Sequence, residues 1–202
     1  MGVTGRILQV TALGALLLTA SCGKPAADAR QTKANTHPFP FHFRHKQPPM
    51  PKPSPTAHLI QLPDSAIFVE RGSTEEQLAA FLASKAPAPH TFRFPGAEFE
   101  PWQTKPSEAT LRTMYAVAQI LRAYPHSEIQ LIGHTDNVGT AAQNLKLSQA
   151  RVERMAQLLI HSGILPRRIT AVGHGMGDPI AGNDSEAGKA RNRRIELVVT
   201  AK

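Results

Sequence analysis

Gly133-His134-Thr135-Asp136-Asn137-Val138-Gly139 joins a short apolar run, Ile129 to Ile132, to a helical pattern that begins at Thr140. The apolar run reads as a compact buried strand ended by Gly133. Thr140 and Gln143 have the spacing of a capping box, in which each side chain satisfies a backbone N–H of the first helical turn. The helix should run to about His161, bury a stripe of Leu145, Ser148, Val152, Met155, Ala156 and Leu159, and stop at Gly163. A strand that passes through a polar loop into a helix offers side chains at the carboxyl end of a sheet, where ligands of α/β folds tend to bind. Gly133 and Gly139 permit tight or positive-φ turns, so Asp136 is displayed on a loop with a rigid support at each end.

Working outward, Leu111, Met114, Ala118 and Leu121 keep helical spacing, which predicts an amphipathic helix over about 107–124 that Pro125 stops. Phe92-Arg93-Phe94 reads as a strand before it. Ile169 to Val172, closed by Gly173, reads as a strand after the central helix. Residues 174–190 form a Gly/Asp/Asn-rich loop with a short helical turn, and Ile195, Leu197 and Val199 alternate as a last strand. The order strand–helix–strand–helix–strand–strand predicts an α/β sandwich with helices on one face of a mixed sheet. Upstream, residues 58–72 suggest a strand pair around Pro63-Asp64. Ser73 and Glu76 suggest a second capping box, opening a helix with Leu78, Phe81 and Leu82 on its apolar face.

The first 57 of the 202 residues differ in composition. They hold Arg6, Lys24, Arg30, Lys33, Arg44, Lys46 and Lys52 against one acid, Asp28, and so carry most of the net charge of +8. The remainder is close to neutral and offers no basic face of the kind a duplex-binding domain needs, so no nucleic-acid partner is expected. Arg6, the apolar run Ile7 to Leu18 and the small residues Thr19, Ala20 and Ser21 lead to Cys22, the single cysteine. The run is too short for a comfortable span, and one cysteine excludes an intramolecular disulfide. The pattern resembles a bacterial lipoprotein signal. The resemblance implies that residues 1–21 are removed and that Cys22 carries the fatty-acyl chains of an anchor. Gly23, rather than an aspartate, follows, which tilts the expected address toward the outer membrane, facing the periplasm. Between Cys22 and residue 57 lie eight of the seventeen prolines, with no helical or strand period. Such a segment is expected to be extended, and at ~3 Å per residue it would span up to about 100 Å if fully extended. His37, His42 and His45 in that segment fit no closed ligand set.

Arg151 lies fifteen residues after Asp136. By helical wheel it sits roughly 90° from the centre of the stripe, on the flank, where its stem packs and its guanidinium reaches the rim. A carboxylate and a guanidinium around one crevice can receive a zwitterion: the acid takes an ammonium, and the fork takes a carboxylate through two parallel hydrogen bonds.

The run GHTDNVG, with Asn144, Leu147 to Arg151 (LSQAR), Gly173-His174-Gly175 and Asn192-Arg193-Arg194-Ile195, resembles the OmpA-like C-terminal domain family over about residues 92–200. The resemblance implies non-covalent binding of peptidoglycan through meso-diaminopimelate, with Asp136, Arg151 and Asn144 as the ligand-binding residues and Trp102, Thr135, Val138 and Arg194 at the pocket rim. Trp102 is a departure, since many members have a small polar residue three positions after the equivalent of Phe99. The division implied is a signal peptide (1–21), a lipidated cysteine and proline-rich linker (22–57), an extension (58–90) and an OmpA-like domain (91–202). The expected role is an outer-membrane lipoprotein that tethers membrane to wall. The alternatives are a scaffold for an envelope complex with a protein partner and, less favoured, a cell-wall peptide hydrolase. His134, His174 and Asp136 invite a metal-hydrolase reading, but they match no H-E-x-x-H spacing, and no G-x-S-x-G elbow occurs. The expectation is therefore a binding module with no catalytic residue, cofactor or metal.

Overall fold

The computed structural model describes residues 55–94 and 104–202. The expectations placed on Cys22, on the linker and on Trp102 lie outside the described residues.

Two strands, β1 (Ala57–Gln61) and β2 (Ala66–Glu70), pair antiparallel and lead into helix α1 (Thr74–Ala83). Then follow β3 (His90–Phe94), α2 (Glu108–Ala123), β4 (Glu128–His134), α3 (Ala141–His161), β5 (Ile169–Gly175), α4 (Glu186–Asn192) and β6 (Ile195–Ala201). The main sheet has the order β3-β6-β4-β5. β6 runs antiparallel to both neighbours, and β4 and β5 are parallel. This is the mixed sheet with packed helices that the pattern of elements implies.

Alternation along the strands builds the core. Phe92, Leu197, Leu131 and Ala171 are register partners across all four strands. Phe92, Leu197 and Leu131 in that row are buried against the helices, as are Ile129, Ile195 and Val199 on the same face. The other face carries Arg93, Glu196, Gln130 and Ile132, which remain partly or fully exposed. The extension joins the same core, because Ile67, Val69, Leu78 and Phe81 pack in one cluster with Met114 and Val117.

Polar side chains close the helix ends. Arg168 is buried and donates to the carbonyls of Leu121, in the last turn of α2, of its C-cap Tyr124 and of Ser127. Lys202 donates to the Phe81 and Ser84 carbonyls at the end of α1, with its ammonium 4.1 Å from the centre of the Phe81 ring. The Thr140–Gln143 capping box forms as expected. The one at Ser73 forms by half. Ser73 accepts from the Glu76 N–H, but the Glu76 carboxylate takes the N–H of Gly72 and faces His58 at 3.0 Å.

Candidate functional site

The β4–β5 register shifts between Gly133 and His134, where the extra residue, His174, lies on β5, and β4 then passes into the loop at the end of the sheet. The loop is held by two backbone bonds, His134 N–H to the Arg194 carbonyl at 2.9 Å and Thr135 N–H to the Gly175 carbonyl at 2.7 Å. Gly139 adopts φ +90 before the helix starts, a conformation that a side chain would resist.

Helix α3 lies unusually close to the strands. A Cβ at Gly173 would stand 2.4 Å from the Gln149 nitrogen, and one at Gly133 would stand 2.8 Å from the Ser148 carbonyl oxygen. Glycines on the strands and Ser148 on the helix therefore let backbone approach backbone. This close seat decides which face of α3 turns inward: Asn144, Ser148, Arg151, Val152, Met155, Ala156 and Leu159 are buried. Two expectations are corrected here. Leu145, counted in the stripe, is 53% exposed, whereas Arg151, expected on the flank, is only 4% exposed. Relative to the wheel drawn through Leu145, the helix is rotated so that Asn144 and Arg151 come under the loop.

The result is a cavity of about 180 Å³ lined by Thr135, Asp136, Val138, Asn144, Leu147 and Arg151, and on its far side by Glu186, Lys189 and Arg193. Asp136 and Arg151, assigned from sequence to one crevice, do share it, as do Thr135, Val138 and Asn144. One Asp136 oxygen accepts the Val138 N–H at 3.2 Å, and the other accepts from Arg193 Nη1 at 2.8 Å. The amide of Asn144 donates to the Val138 carbonyl at 2.9 Å, so it shapes the loop as well as lining the cavity. Burial, partly offset by Asp136 and reinforced by Arg193, lowers the Arg151 pKa to about 10, which leaves it cationic at neutral pH.

Arg194 corrects a third expectation. It lines a separate crevice of about 450 Å³ on the helix-free face, with Arg93, His134, His174, Asp178 and Glu196. Its guanidinium donates to Glu196 at 2.9 Å and to the Asp178 carbonyl at 3.0 Å. The arginine of the cavity is Arg193, its neighbour. His134 and His174 do approach, with ring centres 5.4 Å apart. The Nδ1 of His134 lies 3.2 Å from the Gly177 carbonyl, an acceptor, so that nitrogen carries the proton. Among the described residues no group of three His, Cys, Asp or Glu is arranged to hold a metal ion.

The family profile that matches is OmpA, over residues 98–193. A probable lipoprotein of Escherichia coli, YiaD, is 39% identical over 99 residues, which cover 46% of this chain and 45% of that protein. The peptidoglycan-binding protein ArfA of Mycobacterium bovis is 40% identical over 83 residues, covering 41% of this chain and 26% of that protein. The chain thus spans less than half the length of these curated relatives. A crystal structure of a putative MotB-like protein from Desulfovibrio vulgaris matches with a TM-score of 0.52 and 24% identity, over 64% of this chain and 92% of that one, and speaks for the fold alone.

Proposed function

The chain carries an OmpA-family domain over residues 98–193, and from that premise we propose that it binds peptidoglycan without covalent chemistry and ties the outer membrane to the cell wall. The ligand is the free amino-acid head of meso-diaminopimelate in a stem peptide. Its ammonium takes the Asp136 oxygen that Arg193 holds in the free site, and its carboxylate takes the guanidinium of Arg151. Asn144 keeps the loop at the height this clasp needs by holding the Val138 carbonyl. The other end of the tether is Cys22, acylated after removal of residues 1–21, with residues 22–57 as the linker and the protein facing the periplasm. The described part, from the β1–β2 hairpin onward, then serves as a binding module rather than an enzyme.

The observation that carries this reading is the opening of Asp136 and Arg151 into one cavity. A nearly buried cation beside a carboxylate is well prepared for a ligand of two opposite poles, because both partners are already desolvated and fixed. The name of the mycobacterial relative, peptidoglycan-binding protein, agrees with it.

The test is co-sedimentation with purified sacculi. Asp136→Ala and Arg151→Ala should each abolish pelleting while far-UV circular dichroism stays unchanged. Loss of one partner of such a charged contact costs about 2–5 kcal/mol, on the order of thirtyfold to several thousandfold in affinity. Arg151→Lys should also bind poorly, since an ammonium cannot supply the fork. Pelleting of all three variants at the wild-type level overturns the assignment.

A further inference from the structure

Among the described residues, five charged side chains line the cavity: Asp136, Arg151, Glu186, Lys189 and Arg193, three cations and two carboxylates. The two carboxylates are not equivalent. Asp136 is deep, its side chain 13% exposed, and Arg193 holds it at 2.8 Å. Glu186 is peripheral, its side chain 79% exposed, 3.1 Å from Lys189 and 3.9 Å from Arg193. Glu186, Lys189 and Arg193 follow one another at intervals of three and four along α4 and its cap, the spacing that brings side chains onto one face of a helix.

An amino-acid head brings one ammonium and one carboxylate and leaves the sum of charges unchanged. When its ammonium reaches Asp136, it displaces Arg193 from its closest anion. Arg193 then stands beside Lys189 with the solvent-exposed Glu186 as the remaining carboxylate. A partly desolvated cation deprived of its counter-charge is costly unless another anion arrives.

We propose that Lys189 and Arg193 receive a second carboxylate of the ligand, so that the site selects a fragment with one ammonium and two carboxylates. This rests on the peptidoglycan reading above and names the form of stem peptide the site takes. Glutamate that precedes diaminopimelate in a stem peptide is joined through its side-chain carboxyl, which leaves its α-carboxylate free. Amidation of that group removes the charge and keeps the shape. The site therefore prefers unamidated stems, and α4 is the element that reads the difference.

Calorimetric titration of the full chain with two synthetic tripeptides tests this. Both are N-acetyl-L-alanyl-γ-D-glutamyl-meso-diaminopimelate with the carboxyl at the peptide-linked centre of diaminopimelate blocked as the amide, one with the glutamate α-carboxyl free and one with it amidated. The wild type should bind the free acid about tenfold more tightly, the scale of one charge-assisted hydrogen bond. Lys189→Gln should reduce that ratio to about twofold, and Glu186→Gln, which removes a competing anion, should raise it. Equal binding of the two peptides by the wild type overturns the inference and leaves the diaminopimelate reading standing, as does a ratio that Lys189→Gln does not change. If the wild type binds neither peptide, the peptidoglycan reading itself fails, and the inference with it.

Discussion

Two crevices flank the end of β4, and the consecutive residues Arg193 and Arg194 enter one apiece. On the helix-free side, Arg194 is buried and closes a network. Glu196 accepts from Arg194 and also from Arg93 at 3.1 Å, and the carbonyl of Asp178 takes a further donor of Arg194. On the helix side, Arg193 shares a cavity with two other cations and two carboxylates. Proximity of charges is common to both crevices, and what the charges border separates them. Arg194 is held by Glu196 and the Asp178 carbonyl and ties strand to loop, whereas the Asp136–Arg193 pair borders an open cavity, where an arriving ammonium can replace the guanidinium.

That contrast can be broken from either side. The largest effect expected is on binding: Arg151→Ala should lose about 2–5 kcal/mol of affinity for sacculi, whereas Arg194→Gln should pellet as the wild type does and show its cost in urea unfolding, about 1–3 kcal/mol from buried acceptors left without their donor. If Arg194→Gln abolishes pelleting at unchanged stability, the division between the crevices is wrong. The next effect concerns the seat of α3. Gly173→Ala puts a methyl against the backbone of Gln149 and should lower stability by about 1–3 kcal/mol, read as a Tm drop of several degrees. Sacculus binding should fall with it, because Arg151 rides on the same helix. The smallest effect is a pH dependence on the helix-free side. Burial, and then Arg194, hold the His134 pKa below its ordinary value. The folded chain therefore binds fewer protons there than the unfolded chain. The stability this confers is present above about pH 6.5 and is lost as the pH falls through that value toward the lower folded pKa. Unfolding in urea at pH 7.5 and 5.5 should show the decline in the wild type and a flatter response in His134→Gln.

Most of the architecture and much of the cavity can be read from the residues alone. The strand–loop–helix passage and the helix boundaries near Ser107 and Thr140 follow from spacing and capping chemistry, and the assignment of Asp136 and Arg151 to one site from the resemblance of the motifs around them. The phase of α3 does not. A helical wheel weighted by hydrophobicity takes Leu145 inward, while the glycines of β4 and β5 allow a polar edge of the helix to approach instead, carrying Asn144 and Arg151 under the loop. The choice between Arg193 and Arg194 is equally hidden. α4 ends at Asn192 and β6 begins at Ile195, so neither the period of a helix nor that of a strand phases the two residues between. Glu186 and Lys189 were missed because they sit in a segment read as loop with only a short helical turn. The one available signal was their spacing from Arg193, three and then four residues, behind Ser185, which caps the helix through the Gly188 N–H.

A crystal structure of the chain with meso-diaminopimelate bound tests the central claim most directly. The ammonium should lie within about 3 Å of the Asp136 carboxylate, a carboxylate should bridge the fork of Arg151, and Arg193 should have withdrawn from the contact it makes at 2.8 Å in the free site. An amino acid seated in the His134 crevice, or an Asp136–Arg193 pair left intact with nothing in the cavity, would contradict it.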